Sequence, residues 1–340
     1  MKILTVLGAR PQFIKASPIS SALKKTGITE IIINTGQHYD YNLSEIFFKD
    51  LNIPKAKYNL NIGSNTHGKQ TGDLLIALEQ VLIKENPDAV IVYGDTNSTL
   101  GGAIASSKLN IPVIHIEAGL RSFNKNMPEE INRIITDHVS DILFCPSNHS
   151  KGLLSNEGIV EGVHVVGDVM YDIFKMRKHL IKPLIIQNDF VLLTMHRAEN
   201  TTITNLKIRL EQLRDLNIQI IYPIHPRTKN IINKNKIKLP SNISLIDPLS
   251  YLDLFNLASA SEFIITDSGG LQKEALWLKK YCITIREETE WVETLNQRVN
   301  HLVGLNESIN INLNNGDFTN PYGDGNASKK IISIIKTYFN

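Results

Sequence analysis

Four acidic residues in the first half of the chain stand where proton chemistry would want them. Asp95 follows the apolar, β-branched run Ala89-Val90-Ile91-Val92-Tyr93 through Gly94, and Glu117 ends a second such run, Pro112-Val113-Ile114-His115-Ile116. Short apolar runs bounded by Pro and Gly read as buried parallel strands, and open α/β sheets bind ligands at the carboxyl ends of such strands. Asp95 and Glu117 therefore belong to one sheet edge, where carboxylates can take up a proton and return it. Glu129 and Glu130 follow in the first turn of a helix opened by Pro128. The second half offers a different chemistry. Asp267-Ser268-Gly269-Gly270 follows a strand and opens a helix over Leu271–Leu278, so bare glycine amides, the Ser268 hydroxyl and a helix N-terminus suit a diphosphate. Arg10, His196, Arg197, His225 and Arg227, at neighbouring strand ends, supply the convergent donors that phosphate needs.

Plainer readings compete with each of these. A strand-end Asp such as Asp95 is often only a helix cap, and Ser-Gly-Gly alone is as good a cap as a ligand site. His115 reads as a packed histidine, Glu130 as the helical partner of Arg133, Arg121 as structural, and Asp324 as part of a glycine turn. Glu117 is harder to explain away, because a carboxylate closing an otherwise apolar strand is costly unless it is paired.

The elements that must position these residues alternate strand and helix. Ile3–Leu7 is a strand, Gly8–Pro11 a turn, and Phe13–Lys25 a helix that Pro18 bends or restarts. Glu30–Asn34 is the next strand, followed by a helix near Leu43–Asp50 and a loop from Asn61 to Gly72 that lies beside the ligand. Thr71–Glu85 is helical. The two carboxylate-ended strands follow, and Ile142–Cys145 and Val163–Val166 complete a doubly wound parallel sheet. A polar run through Lys182 and Pro183 leads to a second set of strands: Phe190–Thr194, Gln219–Tyr222, Ile243–Ile246, Phe263–Thr266 and Tyr281–Ile285. The expected organisation is α/β, with two Rossmann-like doubly wound domains facing across a cleft. Residues 1–168 carry the acids, residues 169–325 the diphosphate turn, and residues 326–340 a helix that crosses back to the first domain.

Composition excludes more than it identifies. At 340 residues the chain suits two domains of roughly 150–170 residues. Lys and Arg total 36 against 34 Asp and Glu, so the net charge of +2 gives no reason to expect nucleic acid or a membrane surface. Cys145 and Cys282 form no metal-spaced pair and fit buried thiols in a reducing cytoplasm. Neither half carries a dinucleotide fingerprint or a Walker loop, which argues against NAD and ATP. No metal and no cofactor are expected.

Taken together, Gly8-Ala9-Arg10-Pro11, Gly94-Asp95-Thr96, His115-Ile116-Glu117-Ala118-Gly119-Leu120-Arg121, Pro128-Glu129-Glu130-Ile131-Asn132-Arg133, Thr266-Asp267-Ser268-Gly269-Gly270-Leu271-Gln272 and Asn320-Pro321-Tyr322-Gly323-Asp324-Gly325 resemble the non-hydrolysing UDP-N-acetylglucosamine 2-epimerases. The resemblance runs in one order from the first strand to the last helix. It implies a GT-B architecture, a homodimer, and anti-elimination of UDP to a 2-acetamidoglucal followed by re-addition after protonation on the other face of C2. It implies that Asp95, Glu117 and Glu129 are the catalytic acids and bases, with His196 beside them. Arg10, Lys15, His225, Ser268, Gly269, Gly270 and Glu274 are then the UDP ligands. Gln37, His38 and Arg197 match positions that, in some bacterial members, hold a second UDP-N-acetylglucosamine as an allosteric activator.

Departures from the family pattern bear on the substrate. Thr289-Glu290-Trp291-Val292-Glu293 stands where many members have Thr-Glu-Arg-Pro-Glu, Lys273 stands where an acid is common, and the Ser122–Met127 loop is short. These features resemble the branch acting on UDP-2,3-diacetamido-2,3-dideoxyglucuronate, whose carboxylate an added cation would suit. Pro321–Gly325 resembles the ordinary epimerase, and UDP-N-acetylglucosamine is the expected substrate. A GT-B glycosyltransferase, a hydrolysing epimerase and a non-catalytic UDP-sugar sensor remain as alternatives.

Overall fold

A computed structural model describes residues 1–36, 53–182, 184, 189–309 and 313–339. Gln37, His38 and the helix expected near Leu43–Asp50 lie outside them. The chain divides into two compact units, one of Met1–Lys175 with Pro321–Asn340 and one of Met176–Asn320.

The first unit is built on a seven-stranded sheet in the order β3-β2-β1-β4-β5-β6-β7. Its strands are β1 (Lys2–Leu7), β2 (Thr29–Asn34), β3 (Tyr58–Asn59), β4 (Ala89–Tyr93), β5 (Val113–Ile116), β6 (Ile142–Cys145) and β7 (Val163–Val165), and every pairing is parallel. The helices are α1 (Arg10–Lys25), α2 (His67–Glu85), α3 (Asn97–Lys108), α4 (Pro128–His138), α5 (Asn148–Asn156) and α6 (Val169–Arg177). Leu4, Val6, Ile31, Ile33, Val90 and Val92 pack on Leu74, Leu78 and Val81 of α2. The order reverses between β1 and β4, so the switch point where such sheets bind ligands falls between Gly8 and Gly94.

Two local expectations change. The loop expected through Gly72 ends sooner, because α2 begins at His67. Tertiary bonds hold that polar first turn: Asn97 Nδ2 donates to Gln70 Oε1 at 2.7 Å and lies 3.1 Å from His67 Nδ1, while Gln70 Nε2 donates to the Gly63 carbonyl at 3.0 Å. The turn expected at Gly8–Pro11 is already helix from Arg10, and α1 runs through Pro18. Gln12 Oε1 accepts the Gly8 and Ala9 N–H groups at 2.7 and 3.0 Å, supplying the partner that an alanine at the cap cannot.

The second unit carries a six-stranded parallel sheet in the order β10-β9-β8-β11-β12-β13. Its strands are β8 (Phe190–Thr194), β9 (Gln219–Pro223), β10 (Ile243–Ile246), β11 (Phe263–Thr266), β12 (Tyr281–Thr284) and β13 (Asn300–Leu302). The last was not expected. The helices are α7 (Ala198–Thr201), α8 (Ile203–Arg214), α9 (Pro226–Lys234), α10 (Tyr251–Ala260), α11 (Gly269–Trp277) and α12 (Val292–Asn296). Alternate strand residues feed two cores. Val191, Leu193, Ile220 and Ile265 pack with Leu206, Leu210 and Leu213 of α8, whereas Phe190, Leu192 and Ile264 pack with Leu257, Leu271 and Ala275.

The closing helix, α13 (Ala327–Phe339), belongs to the first unit and packs on α1. Its N-terminus is held by α6: the Asp172 carboxylate accepts the Ala327 and Ser328 N–H groups at 3.0 and 2.7 Å and the Ser328 hydroxyl at 2.6 Å. The first unit runs to Lys175 rather than ending at Asp168, and it includes residues 321–325, where the Tyr322 carbonyl accepts the Asp168 N–H at 3.0 Å.

Candidate active site

Parallel pairing of β4 with β5, with Tyr93 opposite Ile116, brings Gly94-Asp95 and Glu117 out of the sheet side by side. Gly94 turns through a positive φ of 61°, and its N–H donates to the Ile116 carbonyl at 3.0 Å. Glu117 has a φ of 71°, a left-handed conformation that costs a residue with a side chain about 1–2 kcal/mol. The Glu117 and Ala118 N–H groups both donate to the Phe144 carbonyl, at 3.1 and 3.0 Å, and hold the backbone there.

Each acid meets its own cation. Arg133 Nη2 lies 2.6 Å from Asp95 Oδ2, and Asn132 Nδ2 donates to the Asp95 carbonyl at 2.9 Å. Lys15 Nζ lies 2.5 Å from Glu117 Oε1. Burial alone would push the Lys15 ammonium down, but Glu117 above all, with Asp168 and Asp95, raises it instead. Sequence reasoning grouped Lys15 with the diphosphate ligands, and the structure seats it against Glu117. Arg10 opens α1 and is half-buried.

Behind this edge lies a buried polar network. His115 Nδ1 is 2.7 Å from Asp137 Oδ1, and its Nε2 is 2.8 Å from the Gly94 carbonyl, so the ring braces the turn that carries Asp95. Asp137 also accepts Arg121 Nη1 at 2.6 Å and the Gly119 N–H at 3.1 Å. Burial would raise the Asp137 carboxyl, but His115 and Arg121 hold it below the usual range. Arg121 closes the network with a two-pronged contact to Glu157, at 2.7 and 2.8 Å.

Glu129 and Glu130 part company. Glu129 is exposed in the first turn of α4, whereas Glu130 is buried. Glu130 pairs with Arg133 at 3.3 Å and also accepts the Ser122 and Phe123 N–H groups at 2.8 and 2.9 Å, which folds the short 122–127 loop onto α4.

In the second unit, Thr194 of β8 faces Thr266 of β11, and this pair marks the switch point. Asp267, fully buried, takes the His196 N–H at 2.9 Å, the Arg197 N–H at 2.9 Å and Asn200 Nδ2 at 3.2 Å. Its other oxygen lies 3.2 Å from His196 Nδ1 and orients a ring that is half exposed. Ser268 precedes α11 and caps it with no side-chain bond, which leaves its hydroxyl for another partner. Gly269 is glycine because of a close approach: a Cβ there would meet Glu290 Oε1 at 2.7 Å and Trp291 Nε1 at 3.2 Å. A Cβ on Gly270 would meet only Ser268 Oγ, at 3.9 Å.

The outer residues are arranged around this turn. His225 caps α9, with Nδ1 accepting the Arg227 N–H at 3.2 Å, and Arg227 Nη2 donates to the His196 carbonyl at 2.8 Å. Glu274 is buried and accepts the Tyr251 hydroxyl at 3.2 Å. Lys273 is buried too, with Nζ 3.5 Å from the centre of the Trp291 ring, a cation–π contact.

Sequence reasoning named Lys15 and Arg133 but missed their pairing with Glu117 and Asp95, and it missed the role of Asp267. Arg133 was legible only as a helical partner of Glu130, and Asp267 sat inside the Ser-Gly-Gly motif without a role. Among the described residues, no group of three or more His, Cys, Asp or Glu is placed to hold a metal, and no helix is long and apolar enough to cross a membrane.

Comparison with known proteins sets these features in a family. Residues 21–336 match the family model described as UDP-N-acetylglucosamine 2-epimerase. The chain is 48% identical to a UDP-N-acetylglucosamine 2-epimerase homolog of Methanococcus maripaludis, over 99% of both chains. It is also 48% identical to the UDP-2,3-diacetamido-2,3-dideoxy-D-glucuronate 2-epimerase of Pseudomonas aeruginosa, covering 98% of this chain and 99% of that one. Among solved structures, it matches the Methanocaldococcus jannaschii UDP-GlcNAc 2-epimerase in complex with UDP-GlcNAc and UDP, with a TM-score of 0.90, 44% identity, and coverage of 99% of this chain and 100% of that one. The two Rossmann-like units are those of the GT-B class, and the chain is an isomerase that belongs to the UDP-N-acetylglucosamine 2-epimerase family.

Proposed function

We propose that this protein is a non-hydrolysing epimerase that interconverts UDP-N-acetylglucosamine and UDP-N-acetylmannosamine. The observation that carries the reading is the pair of acids at the adjacent ends of β4 and β5, each held by its own cation. One acid removes the C2 proton as the C1–O bond breaks and UDP leaves, and another returns a proton to the opposite face before UDP adds back. Glu129, exposed at the start of α4, is the third acid of this reading. UDP falls to the second unit: the Ser268 hydroxyl, the Gly269 and Gly270 amides and His196 take the charge of the leaving diphosphate, and Glu274 takes the ribose. Arg10 and His225 add donors, while Arg197, with Gln37 and His38, belongs to a regulatory subsite. The same reading makes the protein a cytoplasmic homodimer that needs neither metal nor redox cofactor. Incubated with UDP-N-acetylglucosamine alone, the protein should yield UDP-N-acetylmannosamine with the nucleotide attached. Free N-acetylmannosamine and UDP as the products would instead indicate a hydrolysing enzyme.

A second reading is favoured by the 48% identity to the Pseudomonas aeruginosa diacetamidoglucuronate epimerase, beside the departures at Lys273, Thr289–Glu293 and the short Ser122–Met127 loop. The position of Lys273 favours the neutral sugar, because an ammonium stacked under Trp291 is not offered to a substrate carboxylate. Competition between the two sugars in one tube gives the ratio of kcat/KM directly. We expect UDP-N-acetylglucosamine to be used at least as efficiently, with Lys273→Met leaving the ratio within about threefold. A charge-assisted contact to a uronate would be worth about 1.5–3 kcal/mol, so roughly ten- to hundredfold more uronate turnover, lost in Lys273→Met, would make the uronate the substrate.

A further inference from the structure

A chain of buried polar side chains runs beneath the turn that carries His196. Asp267, after β11, takes the His196 and Arg197 N–H groups, each at 2.9 Å. Asn200 of α7 continues the chain, with Nδ2 donating to the same Asp267 oxygen at 3.2 Å and to the Ile285 carbonyl at 3.0 Å. On its other side Asn200 Oδ1 accepts Arg209 Nε of α8 at 3.1 Å. Arg209 Nη1 then donates to the Val303 and Gly304 carbonyls at 3.1 and 2.9 Å. Asp267, Asn200 and Arg209 are 0, 3 and 2% exposed. Arg209 is the unusual member. Burial works against its charge, while Glu287, Asp267, Glu199 and Glu307 support it from farther off. Yet every partner of its guanidinium among the described residues is a carbonyl or carboxamide oxygen: Asn200, Gln212, Val303 and Gly304. A buried arginine is costly unless its donors are met, and here they tie together the chain ends that follow β8, β11, β12 and β13.

We propose that Arg209, acting through Asn200 and Asp267, is a positioning residue that fixes His196 for the departure and return of UDP. The proposal rests on the epimerase reading above, in which His196 takes charge from the leaving diphosphate. The His196 ring is half exposed, so its place depends on the backbone beneath it and on Asp267. That backbone is held on both sides. Tyr222 donates its hydroxyl to the Met195 carbonyl, and Asp267 takes the N–H groups of His196 and Arg197. Asp267 is in turn fixed by Asn200, whose carboxamide has its nitrogen toward the acid and its oxygen toward the arginine. Removing the guanidinium frees the carboxamide to turn, and the donor to Asp267 is lost with it. A catalytic group displaced by about 1 Å loses on the order of 100-fold in rate, even when the change is made far from the chemistry.

A double-mutant cycle with His196 separates this role from plain support of the fold. Arg209→Met should lower kcat for epimer formation, read by NMR, by about 10- to 100-fold. In the His196→Ala background the same substitution should lower it by no more than about threefold, because the group it positions is already gone. Losses that add in full in folded double variants would overturn the proposal and leave Arg209 as a buttress of α8. Turnover within about threefold of wild type in Arg209→Met would overturn it as well. So would a UDP affinity in Arg209→Met weaker than that of His196→Ala, since the network would then serve the rest of the diphosphate turn. If Arg209→Met does not fold, Asn200→Asp takes its place in the cycle: the shape is kept, Arg209 keeps its acceptor, and Asp267 loses its donor. A wild-type protein that epimerises neither sugar would overturn the proposed function, whereas additive losses in an active enzyme overturn the positioning role alone.

Discussion

Asp95 shows how much one residue owes to its neighbours. Its side chain is 33% exposed, yet Arg133 fixes the carboxylate and Asn132 the carbonyl, so a change of charge there leaves the backbone tethered. Asp95→Asn should cut turnover by about 10²–10⁴ while the Kd for UDP stays within about twofold. Calorimetric titration would contradict this if Asp95→Asn lost UDP as badly as Ser268→Ala. A second residue far from the chemistry sets a pH dependence. Glu30 is half-buried on β2, where burial raises its carboxyl pKa although the Thr5 and Ser20 hydroxyls pull it down. A carboxyl raised in the folded state contributes stability below its unfolded value, and that contribution is lost as pH rises through the folded value. Ionised Glu30 therefore works against the fold at neutral pH. Glu30→Gln should raise the urea midpoint at pH 7 and lose that advantage near pH 4. An equal or lower midpoint at pH 7 would show that Thr5 and Ser20 already compensate the charge.

At the scale of elements, the docking of α13 on the first unit depends on a single carboxylate. Asp172 accepts three hydrogen bonds from the first turn of that helix, and Ile331, Ile332 and Ile335 are buried behind it. Asp172→Ala leaves those donors without their partner and should cost about 1–3 kcal/mol, read as a lower melting temperature with C-terminal amides exchanging first. Unchanged stability would mean that the apolar face of α13 holds it alone. Elements like α13 were legible because an amphipathic helix carries its period in the sequence, and β4, β5, β8 and β11 because a strand buried on both faces needs an unbroken apolar run. β3 and β13 were not, for a physical reason. Two or three residues are too few to show a period, and Asn300 looks like loop chemistry until Gln272, Thr284 and Thr294 bond its side chain in the core. The first turn of α2 was hidden in the same way, its polar residues held by Asn97 far along the chain. In the candidate site, strand-end acids and the Ser-Gly-Gly turn announced themselves by position. Partners such as Arg133 for Asp95 and Lys15 for Glu117 come from other elements, and only the fold brings them together.

For the whole molecule, each unit repeats one plan, a parallel sheet with its switch point at the candidate residues, yet the two carry unlike chemistry. The first presents acids braced by cations, and the second presents bare amides with a histidine oriented by Asp267. Cys145 and Cys282 are both buried free thiols, pushed up to about 12 by burial, so neither offers a reactive thiolate to the chemistry. What the acids are for is thus the central question. The most direct measurement is proton NMR of UDP-N-acetylglucosamine incubated with the protein in deuterated water, without added metal or NAD. The account predicts that deuterium enters at C2 and that the inverted epimer accumulates with deuterium at the same carbon. Folded protein that binds UDP yet leaves the C2 hydrogen in place, in this sugar and in the diacetamidoglucuronate, would contradict it.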